Sequence, residues 1–128
     1  MATVVLDWYS SNKRLTGGLR SKLKKSETLI DGKTRFTTIR LGTKWLDKLN
    51  PLDYVAVSIS NEPNKLNIVG YAMVKNVSKT TLHFLYSSDL KFNIGAKKVS
   101  QALKDMRSVY GKDRVNIYSV ITVIELLS

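Results

Sequence analysis

A long apolar run, VNIYSVITVIELL, occupies residues 115–127 near the end of the sequence. It is rich in β-branched residues, which favour strands. A strand with such a continuous apolar character is typical of the centre of a sheet, where both faces are covered. We therefore expect the chain to fold around a sheet in which this last strand is central.

Five further segments have the β-branched and aromatic composition of strands. They are residues 3–8, 36–41, 54–60, 67–77 and 80–86. A main helix is predicted at about residues 95–109, because apolar residues recur there at helical spacing and a Tyr-Gly pair follows. One or two short helices are expected near residues 19–25 and 43–49. This pattern predicts an α+β, β-dominated fold of about six strands, which most easily closes into a small pseudo-barrel.

Length and composition narrow the class of protein. The 128 residues are expected to form a single domain, 1–128, because a second domain would be undersized. No apolar stretch approaches the ~18 residues of a membrane span, and no secretory signal is recognised. With no cysteine and one histidine, neither a metal site nor a histidine-based triad is expected. We predict a cytoplasmic, intracellular protein without a cofactor, of cellular, viral or mobile-element origin.

Positive charge is the most informative feature of the composition. The chain has 21 lysine and arginine residues against 10 aspartate and glutamate residues, for a formal net charge of +11. Residues 13–48 contain eleven of these basic residues and only three acidic ones. Such concentration favours a polyanionic partner, nucleic acid (RNA or DNA) first and an acidic protein second. No membrane partner is predicted.

The stretch DGKTRFTTIRLG, residues 31–42, places Lys33, Arg35 and Arg40 on or beside a short predicted strand. Side chains alternate along a strand, so Thr38 and Arg40 face one side and Arg35 faces the other. A basic strand of this kind is typical either of a charged sheet edge or of a binding surface. We favour the binding surface, because the charge of the surrounding segment is so one-sided.

Several side chains outside this strand are candidates for the same role. A cluster before the strand would contact phosphates without reading sequence. Its members are Arg20, Lys22, Lys24 and Lys25. Trp45, beside Lys44, is either a stacking platform for a base or a core anchor of its short helix. His83 is interpreted as a structural or surface residue rather than a catalytic one.

The longer stretch LIDGKTRFTTIRLG resembles the pattern G-[RK]-K-T-x-T-x-R of the ASCH domain family, which belongs to the PUA-like superfamily of small pseudo-barrels. Three later stretches are similar to the same family: LNPLDYVAV, VGYAMVKNV and the turn SSDL. A helix ending in Tyr-Gly and a final strand follow in the family's order. The resemblance covers residues 29–127 and leaves the basic segment 10–28, a predicted mobile loop or short helix, unexplained.

The resemblance implies a cleft, lined by the motif strand, that receives RNA, nucleotides or nucleosides. Some members of the family are amidohydrolases of acetylated cytidine that use a Lys, a Thr and a Glu. The Thr falls on Thr38 and the last Arg of the motif on Arg40, but Arg35 occupies the lysine position. An arginine stays protonated and cannot act as a base, although it can bind a phosphate bidentately. Lys33 and Asp89 are the nearest candidates for the missing Lys and Glu.

These observations predict an ASCH-like, nucleic-acid-binding domain with a basic cleft, and RNA or another single strand is the favoured ligand. The predicted contacts are Arg20, Lys22, Lys24, Lys25, Lys33, Arg35, Thr38, Arg40, Lys44 and Trp45. One alternative is a hydrolase of a modified nucleoside, or a ribonuclease, with Lys33, Thr38 and Asp89 as its catalytic residues. A second alternative is a basic interaction module that binds an acidic protein.

Overall fold

The computed structural model describes residues 4–9, 16, 18–62 and 64–128. Its strands are β1 (Val4–Tyr9), β2 (Arg35–Leu41), β3 (Tyr54–Ser60), β4 (Ile68–Thr81) and β5 (Val120–Leu127). Its α-helices are α1 (Leu19–Lys22), α2 (Lys44–Lys48), α3 (Ser87–Leu90) and α4 (Val99–Tyr110). Two short 3₁₀ turns cover Glu27–Leu29 and Leu82–Phe84. No helix in these described ranges is long and apolar enough to cross a membrane.

The strands form one mixed sheet in the order β1-β3-β4-β5-β2. β1 pairs with β3 in parallel, and the other three pairings are antiparallel. β5 therefore lies inside the sheet, between β4 and β2, as its apolar sequence predicts. The α+β, β-dominated class is confirmed. The expectation of a closed barrel is wrong, because in the described part of the chain no ladder joins the edge strands β1 and β2.

The described residues form five strands rather than six, because the segment predicted at 80–86 is not a separate strand. β4 continues without a turn through Ser78 and Lys79, pairs with β5 as far as Thr81, and then enters the 3₁₀ turn at Leu82–Phe84. The polar sequence that suggested a turn lies on a ribbon whose side chains are largely exposed. The ladder bonds to β5 hold this ribbon extended whatever its polarity.

The ends of the two longest predicted elements differ from expectation for local reasons. α4 begins at Val99 rather than residue 95, because Gly95 has a φ of 100°, outside the helical region. Gly111 ends the helix after Tyr110, at the predicted place. β5 begins at Val120 rather than residue 115, because Asn116 and Ser119 close a turn with a backbone bond of 3.0 Å.

Two hydrophobic cores lie on opposite faces of the sheet. The first joins β1, β3 and the neighbouring strands through Leu6, Trp8, Phe36, Val57 and Ile124, among others. The second packs α4 and the Leu82–Phe84 turn against the other face through Leu82, Ala102, Met106, Ile121 and Val123. β2 contributes to both, because its alternate side chains point to opposite faces. Phe36, Thr38 and Arg40 therefore share the face of the first core, while Ile39 packs against the second.

The basic segment is anchored to the sheet at its end. Leu19 and Leu23 are buried in the first core, and Lys24 pairs with Tyr71 of β4 through two backbone hydrogen bonds of 2.8 and 3.3 Å. Gly70 permits this approach, since a Cβ there would lie 2.5 Å from the Cβ of Leu23. The predicted short helix at 19–25 is present as α1. Residues 10–15 and 17, where a loop is predicted, lie outside the described residues.

Candidate functional site

A cavity of about 100 Å³ opens between β1, β2 and α4. It lies at the seam where the two edge strands of the sheet face each other without pairing. Its polar and aromatic lining includes Trp8, Thr38, Arg40, Asn93, Asp105 and Tyr110. Apolar side chains complete it, among them Ile94, Ala102 and Met106. The cavity thus combines a guanidinium, a carboxylate, hydroxyl groups and aromatic rings.

Arg40 is the central side chain of the cavity. Only 9% of the residue is exposed, and its guanidinium carbon lies 4.5 Å from the ring centroid of Trp8 and 6.0 Å from that of Trp45. Its Nη1 donates to the backbone carbonyl of Asp7 at 2.6 Å, and its Nε donates to Thr38 Oγ1 at 3.2 Å. The guanidinium is therefore fixed by two hydrogen bonds and by an aromatic face.

One nitrogen of this guanidinium makes no hydrogen bond to the described residues. Nη2 of Arg40 is buried and has no hydrogen-bond partner within the part of the chain that the structure describes. Asp7 Oδ1 forms an ion pair with Arg40 at 3.8 Å from Nη1, and its side chain is 65% exposed. Burial lowers the pKa of Arg40, while Tyr110 and Asp7 act in the opposite direction. The site thus holds a buried nitrogen with no acceptor among the described residues, which favours a hydrogen-bond-accepting ligand.

Asp105 and Tyr110 supply the helical wall of the cavity. Both lie on α4, and Asp105 is buried although it carries a carboxylate. Neither residue is among the contacts predicted from the sequence. Asp105 is three residues after Ala102 and four before Val109, so a carboxylate on the apolar face of the helix was the available signal. A buried carboxylate there can accept hydrogen bonds from an N–H-bearing ligand.

The segment around Asn93 forms the wall of the cavity beside β2. Thr37 donates its backbone N–H to Phe92 O at 2.9 Å and accepts from the N–H of Ile94 at 3.1 Å, so this segment pairs with the edge of β2. The amide nitrogen of Asn93 donates to Ile94 O and Ala96 O at 3.1 and 3.3 Å. The pairing covers the β2 edge at Thr37 and leaves the edge open at Thr38 and Arg40, which is where the cavity forms.

Arg35 lies away from the cavity, although it is one of the predicted contacts together with Thr38 and Arg40. It is on the other face of β2, where its Nη2 donates to Glu125 Oε2 at 3.0 Å. Its guanidinium also lies 4.7 Å from the ring centroid of Phe92. Strand alternation is the cause, since no bulge rotates Arg35 to the side of Arg40.

The three residues of the hydrolase alternative are not brought together. Thr38 lines the cavity, but neither Lys33 nor Asp89 is among its lining residues. Lys33 is exposed in the turn before β2, where its backbone N–H donates to Asp31. Asp89 accepts a hydrogen bond of 2.8 Å from the backbone N–H of Tyr86 and so caps α3. The described residues that line the cavity include no lysine.

The remaining predicted contacts fall into two groups. The first group flanks the start of β2 and the end of β5, and it consists of Arg20, Lys22, Lys24 and Lys25, with Lys24 3.9 Å from Asp31. The second group, Lys44 and Trp45, lies on α2 at the other end of β2. The Nζ atoms of Lys44 and of the neighbouring Lys48 lie 5.6 and 5.5 Å from the ring centroid of Trp45. The seven residues of β2 span roughly 20 Å, which indicates the separation of the two groups. Trp45 is half-buried against the first core and also faces cations.

Comparison with known proteins identifies the fold. No protein-family model matches the sequence, and no curated protein matches it. The structure is similar to a crystal structure of an ASCH domain from Lactobacillus crispatus, with a TM-score of 0.57 over 98% of this chain and 80% of that one. The two sequences are 12% identical over the match, so the likeness concerns the fold. The chain therefore has an ASCH-like fold, as the motif strand predicts.

Proposed function

We propose that this protein binds RNA or another single-stranded nucleic acid, and that the Arg40 cavity receives one nucleotide of the bound strand. The observation that carries the proposal is the buried Arg40 guanidinium, which stacks on Trp8 and keeps Nη2 without a protein partner among the described residues. A donor left unpaired in a folded protein costs about 1–3 kcal/mol, so a ligand that accepts from it gains that amount.

The lining favours part of a nucleotide over a simple anion. Arg40 and Thr38 offer donors, Asp105 offers an acceptor, and Trp8 offers a flat apolar face. A nucleobase edge carries both donors and acceptors, and its rings stack on aromatic side chains. At about 100 Å³ the cavity is smaller than the ~150 Å³ cavity that accommodates benzene. We therefore expect it to admit a base edge or one phosphate group, with the rest of the nucleotide at the open mouth.

The charged surface would hold the backbone of the strand. Lysine and arginine residues that neutralise phosphates give affinity without sequence preference and make binding depend on salt. The net charge of +11 and the clusters at both ends of β2 supply such contacts. The basic residues at 20–25 would contact phosphates on one side of the cavity, and Lys44 on the other.

The experiment is a fluorescence-anisotropy titration of labelled single-stranded RNA, single-stranded DNA and duplex DNA at two salt concentrations. Arg40→Gln removes the guanidinium, and Thr38→Val removes the hydroxyl while keeping the shape of the side chain. Lys104→Gln is the matched control, because it removes one charge from the exposed face of α4. We expect Arg40→Gln to weaken single-strand binding about 10-fold or more, and Lys104→Gln to change it little.

Two outcomes would contradict the proposal. Absence of binding to all three nucleic acids at low salt would exclude nucleic acid and turn attention to an acidic protein partner. Equal losses in Arg40→Gln and Lys104→Gln would mean that the net charge alone attracts the strand, without use of the cavity. A thermal melt of each variant separates loss of the site from loss of the fold.

The hydrolase alternative has less structural support. Its lysine and its acidic residue, Lys33 and Asp89, lie outside the cavity that contains Thr38. Arg35, at the lysine position of the motif, is ion-paired with Glu125 on the opposite face of β2. We therefore propose binding rather than catalysis as the role of Thr38.

A further inference from the structure

We infer that the exposed rings of Phe84 and Tyr118, together with the groove beside Phe84, form a second contact surface for the same strand, on which unpaired bases stack. This inference rests on the proposed function, since it names where a nucleic acid leaves the Arg40 cavity. The surface is defined by Phe84, Tyr118 and the ring between them, His83; we call it the aromatic platform.

The aromatic platform is unusual in its exposure. Phe84 is 60% exposed and Tyr118 is 68% exposed. Monomeric proteins rarely leave large rings in contact with water in one cluster unless the cluster binds a partner. Ile117 and Val120, on either side of Tyr118 in the chain, are exposed by 40% and 42%, so the apolar surface extends beyond the rings.

The platform is also held in place. The His83 ring centroid lies 4.1 Å from that of Phe84 and 5.0 Å from that of Tyr118. Nδ1 of His83 is 3.2 Å from the carbonyl of Ile117, which can only accept, and 3.0 Å from Thr81 Oγ1. The backbone N–H of His83 donates to the same Ile117 carbonyl at 2.8 Å. Rings that are fixed before binding lose little conformational entropy when a base stacks on them.

A groove connects the platform with the rest of the proposed interface. It is an open depression of about 520 Å³ between the ends of β2 and β4, lined by Gly42, Thr43, Lys79, Thr81, Phe84 and Val120. The described residues of its lining include one lysine and no acidic side chain. This charge suits a phosphate backbone and would also attract an acidic protein. The exposed rings favour nucleic acid, because planar bases stack on them.

The sheet register places one residue of this groove, Lys79, in the same row as Arg40 and two strands away from it. Arg40 pairs with Thr122 of β5, and Thr122 pairs with Lys79 of β4, so the three residues form one row across the sheet. Paired residues of antiparallel strands point to the same face. Lys79 therefore faces the same side of the sheet as Arg40. Thr43, at the other wall of the groove, directly precedes Lys44 and Trp45 on α2.

These contacts define the occupant as single-stranded nucleic acid. A strand with one nucleotide in the Arg40 cavity could continue along Lys79 and lay its next bases on Phe84 and Tyr118. A duplex keeps its bases stacked on one another and cannot offer their faces to these rings. The platform would thus account for a preference for single strands, which phosphate contacts alone cannot produce.

The test compares a single-stranded oligouridine of about ten nucleotides with an abasic oligonucleotide of the same length. The variants are Phe84→Ala, Tyr118→Ala and their combination, and Tyr54→Ala on β3 is the matched control, because it removes a partly exposed ring elsewhere. Loss of one stacked base weakens binding about 5- to 150-fold. We expect that loss with oligouridine, little change with the abasic strand, and an unchanged salt slope. Phe84→Trp keeps a ring and should restore binding, whereas Phe84→Leu keeps only an apolar side chain and should not.

The outcomes separate this inference from the proposed function. If the parent protein binds and the platform variants bind as tightly as Tyr54→Ala, the inference fails alone. If the platform variants lose binding while Arg40→Gln does not, the cavity proposal fails and the platform stands. If the parent protein binds no single strand, both fail. A concentration-dependent dimer that disappears in the double variant would also overturn the inference, because the rings would then bind a second copy of the chain.

Discussion

Nη1 of Arg40 donates a 2.6 Å hydrogen bond to the backbone carbonyl of Asp7, and this bond crosses the gap between the two edge strands of an open sheet. In a closed barrel a backbone ladder would join those strands and leave no edge. Here a long side chain spans part of the gap, and the space beside it is the cavity. Arg40 thus links the two edge strands and also presents a charge to a ligand.

Replacing Arg40 should therefore reduce stability as well as binding. Arg40→Ala removes the bond to Asp7, the bond to Thr38 and the stacking on Trp8, and we expect the free energy of unfolding to fall by roughly 2–4 kcal/mol. Arg40→Lys keeps the charge but not the planar fork, and we expect about half that loss. Urea denaturation followed by circular dichroism measures both.

Lys104→Ala serves as the control for that series. Lys104 is exposed on α4, so its replacement should lower the free energy of unfolding by about 0.5 kcal/mol or less. An Arg40→Ala variant as stable as the parent would mean that the burial of the guanidinium costs as much as its contacts return, as happens for some buried charges. The bridge between β1 and β2 would then have no net structural value.

Much of the local structure could be predicted from the sequence, because it depends on neighbours along the chain. Strand alternation places Thr38 and Arg40 on one face and Arg35 on the other, and the structure has this arrangement. The helix end at Gly111 and the close approach at Gly70 follow from the properties of glycine. The motif on β2 pointed correctly to the ASCH-like fold.

The strand order and the assembly of the cavity depend on contacts between distant parts of the chain. Asp7 and Arg40 are 33 positions apart, and nothing in either local sequence pairs them. The side-by-side placement of β5 and β2, which leaves β1 and β2 as open edges, is a property of the whole sheet. Asp105 enters the site only because α4 covers the seam. For the same reason the sequence could not show that Lys33 and Asp89 lie apart from Thr38.

Gly70→Ala should detach the basic segment from the sheet. The new Cβ would lie 2.5 Å from Leu23 Cβ and 3.0 Å from the carbonyl of Lys24, so one strand or the other must shift. We expect a loss of about 1–3 kcal/mol in unfolding free energy and faster proteolysis near residues 20–25. Gly32→Ala is the control: it meets no atom within 4 Å and has only the strain of its φ of 73°. Equal protease resistance in both variants would show that segment 19–25 does not depend on this contact.

Asp31 should contribute to stability in a pH-dependent way. Its pKa is lowered from 3.8 because the backbone N–H of Lys33 donates to the carboxylate, with Lys24 and Lys33 adding positive charge. A lowered pKa in the folded state stabilises the fold above the unfolded value of about 3.8, and this contribution is lost as pH falls through the folded value.

We therefore expect Asp31→Asn to be less stable than the parent at neutral pH and equally stable in strong acid. Asp113→Asn removes the same charge from an exposed turn and provides the comparison. Urea midpoints measured across the acid range test this expectation. A stability difference between parent and Asp31→Asn that stays constant through pH 3.8 would contradict it.

Glu125 should restrain two of the basic side chains that could contact phosphates. Its Oε2 accepts from Arg35 Nη2 at 3.0 Å and lies 4.0 Å from Lys75 Nζ, on a side chain that is 23% exposed. Glu125→Gln releases both cations at a cost of about 0.5–1 kcal/mol in stability. If Arg35 contacts the strand, affinity for single-stranded RNA should rise about 2- to 5-fold at low salt, and the salt slope should steepen. Glu62→Gln, which removes an equally charged partner from the exposed pair with Lys65, controls for net charge. Identical affinities in the two variants would place Arg35 and Lys75 outside the binding surface.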